Sequence, residues 1–145
     1  MQYAGFWRRF FAMIVDSLLA TIVGGLALVA MGAIVFGAGI LTGAPGDRML
    51  AAMYVATASL GTVFWILYYA AFESSASGAT PGKRLLGIAV TDAQGGRIGF
   101  GQAFGRNVCK LLSAITLYVG FLMAAFTSRK QALHDIMTGC LVVRR

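Results

Sequence analysis

Arg8-Arg9-Phe10-Phe11-Ala12-Met13-Ile14-Val15-Asp16-Ser17-Leu18-Leu19-Ala20 is the stretch that decides the fold. Two arginines lead directly into an apolar run that continues to Thr42, and one acid stands inside that run. As a helix, the run from Phe10 to Thr42 is roughly 50 Å long, against a bilayer core of about 30 Å that about 20 apolar residues can cross. It predicts a transmembrane helix. An unpartnered charge in hydrocarbon costs several kcal/mol, so Asp16 is expected to face protein and to have either a partner or a task.

The rest of the composition agrees. The chain has 145 residues, of which 59% are hydrophobic and only 12% charged, with a mean hydropathy of +0.78. These values are far from those of an ordinary soluble domain. Met49 to Phe72 is a second run long enough to span, whereas Leu111 to Phe126 is only 16 residues long. The expected fold is an all-α membrane protein forming a single domain over residues 1–145. It has two firm transmembrane helices, about 10–42 and 49–72, and a third membrane-embedded apolar segment, about 111–126, that is either re-entrant or interfacial, or else a third span. Arg8-Arg9-Phe10-Phe11 has the look of a twin-arginine export signal. Asp16 and the length of the run argue against cleavage, so the first helix is expected to stay in the mature protein.

The net charge of +7 is unevenly distributed. Arg8 and Arg9 precede the first run, and only Arg48 follows it. Lys83, Arg84, Arg97, Arg106 and Lys110 follow the second run, and Arg129, Lys130, Arg144 and Arg145 close the chain. Because basic loops stay cytoplasmic, the N-terminus is expected on the inner side of the membrane, with the Gly43–Arg48 turn outside and residues 73–110 inside. A single crossing by the third run would strand four basic residues on the outer side. A helix in the inner interface, or a shallow re-entrant hairpin, avoids this and leaves the tail, about 128–145, cytoplasmic. Gly120 and Thr116 to Tyr118 offer a soft point for such a turn. Arg106 and Lys110, one turn apart, make its start amphipathic.

Between the second and third runs, Leu85 to Thr91 is β-prone, Asp92-Ala93-Gln94-Gly95-Gly96 is a turn cluster, and Arg97-Ile98-Gly99-Phe100 could return. This predicts a small cytoplasmic β-hairpin at about 84–100. A short helix from about Arg129 to Thr138 is expected to end at Gly139, followed by a C-terminal strand, Cys140 to Val143. Two strands alone are marginal in water, so the tail is expected to join the hairpin.

Three motifs in order resemble the RDD family of small bacterial membrane proteins, named for an arginine and two aspartates. They are Tyr3-Ala4-Gly5-Phe6-Trp7-Arg8-Arg9 leading to Ala12 and Asp16, Thr80-Pro81-Gly82-Lys83-Arg84-Leu85-Leu86-Gly87, and Gln131-Ala132-Leu133-His134-Asp135 followed by Gly139 and Val142-Val143. The resemblance places Arg9 at the arginine position and Asp16 and Asp135 at the aspartates. It also implies the transport or cation–proton exchange that has been suggested within the family.

Arg9, Asp16 and Asp135 are therefore the candidate functional residues. His134 is a weaker one, as a group that titrates near neutral pH in a relay between the acids. Arg9 and Asp16 share a helix face but lie roughly 10 Å apart along the axis, too far for an ordinary pair. Ala12, Asp16, Ala20 and Gly24 form a small-residue stripe on which another helix can approach, and Ala51, Ala58 and Gly61 form a candidate mating surface on the second span. Lys83 and Arg84 are expected to contact anionic lipid headgroups.

Gly78-Ala79-Thr80-Pro81-Gly82-Lys83-Arg84 is too short for a phosphate loop and lacks its Ser or Thr. Cys109, Cys140 and a single His have no zinc spacing, and no nucleophile turn is visible, so neither a metal, a cofactor nor an enzyme activity is expected. No basic helix or aromatic platform suggests nucleic acid. Two spans cannot enclose a pathway. The expected function is ion- or proton-coupled transport of a small cation or proton by a homo-oligomer, or with membrane partner subunits. The alternative is a non-transporting scaffold or accessory subunit in which the arginine and aspartates are structural.

Overall fold

The computed structural model describes residues 2–115 and 119–145. The elements run α1 (Phe6–Thr42), α2 (Gly46–Glu73), α3 (Pro81–Leu85), β1 (Ile88–Asp92), α4 (Phe100–Ile115), α5 (Val119–Phe126), α6 (Leu133–Met137) and β2 (Cys140–Arg144). The long helices α1 and α2 are both long and apolar enough to cross a membrane. α1 ends where Gly43 takes the left-handed conformation (φ +64°), so that the Ala44 amide can reach back to the Gly39 carbonyl at 3.0 Å.

Two compact units make up the chain: Leu18–Trp65, and Met1–Ser17 together with Ile66–Arg145. In the first unit, glycines of α1 receive large side chains of α2. A Cβ on Gly24 would lie 3.1 Å from the Phe64 ring, and one on Gly39 only 2.6 Å from Met49. Gly32 meets Met53 in the same way. The glycine positions thus let the helices approach closely. On α2, Ala51 and Ala58 are exposed, so the expected mating surface is corrected to the Met49, Met53 and Phe64 face. Outward-facing Leu26, Val29 and Leu41 leave an apolar exterior suited to lipid.

The second unit is built on a small sheet. β1 pairs antiparallel with β2, with Val90 opposite Val142. The N-terminal segment adds to the other edge of β2, where the Ala4 amide donates to Val142 and the Arg144 amide to Gln2, both at 2.8 Å. Ile88, Val90, Ile98 and Val142 close a core over Ala12 and Ala70.

The expected local hairpin at 84–100 does not form. Asp92 accepts amide hydrogens from Gln94 and Gly96, making the expected turn, but Ile98 is drawn into the core and α4 starts at Phe100, which leaves no return strand. The edge it would have occupied instead receives the Gly78 carbonyl, bonded to the Val90 amide at 2.7 Å. The tail strand is where the sequence put it. The helix before it is shorter than 129–138, spanning only Leu133–Met137, and Gly139 (φ +64°) turns the chain into β2.

The third apolar segment is two helices, and the first starts eleven residues before Leu111. The axes of α4 and α5 stand 103° apart. Of the expected soft point, Thr116 to Tyr118 lie outside the described residues. Gly120 sits inside α5, where its bare Cα faces Ser113 and Leu133. Removing the side chain of Ile88, 1% exposed, should cost about 2–5 kcal/mol, seen as a lower unfolding midpoint of Ile88→Ala in detergent.

Candidate functional site

Asp16 leaves α1 on the side that meets the Thr80-Pro81-Gly82 turn. Its Oδ2 accepts the Thr80 hydroxyl at 2.5 Å and its Oδ1 accepts the Gly82 amide at 2.7 Å. Asp16 is fully buried, so its partner is another segment of the same chain, acting as a cap for the first turn of α3. Pro81 opens that turn without needing an amide partner. Gly82 is required by contact: a Cβ there would lie 2.5 Å from the Ala12 carbonyl and 2.8 Å from the Asp16 carboxylate. The first and second sequence motifs therefore describe two halves of one joint.

Asp135 is the centre of a second linkage. It sits in the first turn of α6 and bonds back to the Ala132 amide at 3.1 Å, which orients its carboxylate. Arg9 donates to its Oδ2, and Arg106 of α4 donates to its Oδ1 at 2.7–2.8 Å. Burial alone would raise the Asp135 carboxyl, but Arg106 and then Arg9 outweigh it and hold the group well below the usual carboxylate range. Arg9, rather than Arg8, reaches the acid. Arg8 is exposed and donates to the Leu86 carbonyl at 3.3 Å.

Arg106 also bridges to Glu73, at 2.7 Å. Glu73, at the end of α2, is fully buried and gathers Lys83, Asn107 and Lys110, the last at 3.6 Å. Lys110 completes its shell with Asn107 Oδ1 at 2.6 Å and the face of the Tyr69 ring, 4.1 Å from its centroid. Lys83 is thus corrected. Its ammonium is buried on Glu73, with burial pushing its pKa down and Glu73 resisting, and it does not reach lipid headgroups; Arg84 beside it is exposed.

Arg106, Glu73, Asn107 and Lys110 are not among the sequence candidates. A signal exists for two of them: Arg106 and Lys110 fall on the helix face opposite Phe104 and Val108. Glu73 carries no local signal beyond closing an apolar run.

His134 lies 3.3 Å from Ser113 through Nδ1 and 3.5 Å from Asp135 through Nε2. Ser113 and His134 are thereby adjacent, which spacing could not reveal. Burial first, and Arg106 second, push the imidazole down to about 3, well below the near-neutral range that the sequence leads one to expect of it. With Ser113 fully buried and the carboxylate committed to two arginines, the trio lacks the strong base and open nucleophile of a hydrolytic triad. Among the described residues no group of His, Cys, Asp and Glu is arranged to hold a metal.

A model of the RDD family matches residues 3–139. The chain belongs to the RDD family. It is similar to the uncharacterized protein YxaI of Bacillus subtilis (strain 168), 35% identical over 147 residues that cover 97% of this chain and 96% of that one. No solved structure matches. In this RDD protein the arginine and the two aspartates separate into two linkages, Arg9 with Asp135 and Asp16 with Thr80 and Gly82.

Arg106→Met removes the one guanidinium that Glu73 and Asp135 share, leaving Glu73 to Lys83 and Lys110 and Asp135 to Arg9, and should cost about 3 kcal/mol in denaturant unfolding in micelles. Adding Asp135→Asn should cost less than the two changes separately, because they share one contact. Acid should loosen the same unit. Below its ordinary value near 6.5 the unfolded chain takes a proton at His134 that the folded protein refuses until about 3, so stability falls as pH drops through that window, by roughly 2 kcal/mol at pH 5. Melting curves at pH 7 and pH 5 should converge in His134→Gln.

Proposed function

We propose that the protein is a multi-pass protein of the bacterial cytoplasmic membrane, with its N-terminus cytoplasmic. In this reading it serves as a non-transporting scaffold or accessory subunit in which Arg9, Asp16 and Asp135 are structural. The observation that carries the reading is the commitment of the two aspartates. Asp16 and Asp135 are each 0% exposed, and every carboxylate oxygen is held by a donor of the same chain. A proton carrier must be reached by water and must change protonation near working pH. Asp135, clamped by two guanidiniums, stays ionised.

Helix length supports a shallow position for Asp16. Counting back from Thr42, a core of about 30 Å is used up by about 20 residues, which ends near Ile22 and leaves Asp16 at the inner headgroup level. A joint between the start of α1 and the Thr80-Pro81-Gly82 turn at that level holds α3 beside the first turns of α1. The apolar outward faces of α1 and α2 are available to lipid and to partner membrane subunits.

Transport of a small cation or proton by an oligomer is the second reading, favoured by one feature: Asp16 stands outside the ion pairs found among the described residues. Proteoliposomes separate the two. The scaffold reading expects no pH- or cation-dependent flux from the purified protein, and expects Asp16→Asn to retain its fold, since the amide oxygen can still accept from Gly82. A flux present in the parent and abolished in a folded Asp16→Asn variant would establish transport instead.

A further inference from the structure

α4 is amphipathic in the inverted sense. Phe100, Phe104, Val108, Leu111, Leu112 and Ile115 form one arc of the helix and are all exposed, with Ile115 75% open. The remaining arc carries Arg106, Asn107, Lys110 and Ser113, turned into the cluster around Glu73 and Asp135. A helix that buries its charges in protein and presents an apolar stripe outward is suited to a hydrocarbon exterior, not to water.

The sheet restricts how α4 and α5 can meet that hydrocarbon. Residues 2–4, β1 and β2 pair with one another, so all three lie on one side of any membrane. Between β1 and β2 the chain must then cross an even number of times. At about 1.5 Å per residue, α4 is roughly 24 Å long and α5 roughly 12 Å, each short of a core of about 30 Å, and they diverge by 103°. Two crossings are out of reach, which leaves none.

The charge around this unit indicates which surface covers the arc. Its acids Asp16, Glu73 and Asp135 are buried and Asp92 is half-buried, while Arg8, Arg84, Arg97 and Arg129 are exposed. Outward apolar side chains on a unit whose exposed charges are arginines complement acyl chains beneath anionic headgroups.

We infer that α4 lies in the lipid interface on the side holding both termini, with the Phe100–Ile115 arc among the acyl chains, and that the α4–α5 pair does not cross the membrane. This rests on the membrane assignment above, but not on whether anything is transported.

The test uses the full chain in phosphatidylcholine–phosphatidylglycerol vesicles, with Phe104→Trp as the sole fluorescent indole after Trp7→Phe and Trp65→Phe. Bromines near the headgroup should quench the fluorescence of that reporter roughly twofold more than bromines near the chain ends, as for a helix about 5–10 Å into the boundary. Ile115→Trp serves as the second reporter if the first variant misfolds. N- and C-terminal tags should be cut by protease from the same side.

Stronger quenching by the deep bromines, or tags on opposite sides, would overturn the inference. So would unquenched Phe104→Trp and Ile115→Trp reporters in a protein whose native Trp65 is quenched, since a second copy or another protein would then cover the arc. A protein retaining Trp65 alone that no bromine quenches would overturn the membrane assignment itself.

Discussion

The Arg106 guanidinium lies between Glu73 and Asp135, 2.7 Å from each, and through them joins the end of α2, the middle of α4 and the start of α6. Arg9 brings the start of α1 to the same carboxylate, and Lys83 brings α3 to the other. Five helices are therefore held by two acids. Buried pairs of this kind add little net stability over a well-packed apolar alternative, because desolvation offsets much of their attraction. Their effect is on arrangement: each helix must present one charge at one place, and a displaced register would leave that charge unpaired in a low-dielectric interior.

The Asp16 joint works differently. It brings no opposite charge, and its stability comes from two hydrogen bonds to the carboxylate and a contact so close that only glycine fits at position 82. Together, the joint and the charge cluster explain why arginine, aspartate and a Thr-Pro-Gly-Lys turn stand as fixed points along an otherwise apolar chain. Thr80, Gly82 and Lys83 each contact an acid on a long helix. The same motif resembles a phosphate loop in sequence, yet its amide and ammonium are already satisfied within the protein.

Much of this is legible in the residues. The runs beginning at Phe10 and Met49 can only be long apolar helices, Gly139 marks the turn into the last strand, and the motifs around Arg9, Thr80 and His134 point to one family. The absence of the hairpin is not legible, because the β-prone run at Leu85 and the turn at Asp92 carry no information about which distant strand competes for the edge. The place of Lys83 is hidden for a similar reason. A basic residue beside a membrane segment looks like a headgroup contact until an acid ten residues earlier is seen to fold onto it.

The sequence by itself determined where apolar length exceeds a bilayer, where glycine and proline end helices, and which few ionisable groups had to be accounted for, because these follow from local composition and backbone sterics. Only the tertiary structure decided the pairings: Arg9 with Asp135, Asp16 with Thr80 and Gly82, Arg106 with two acids, and the tail strand between the N-terminal segment and β1. The reason is physical. A buried charge dictates that it must have a partner, but the choice among partners far away in the chain depends on which helices can pack closely enough to deliver them.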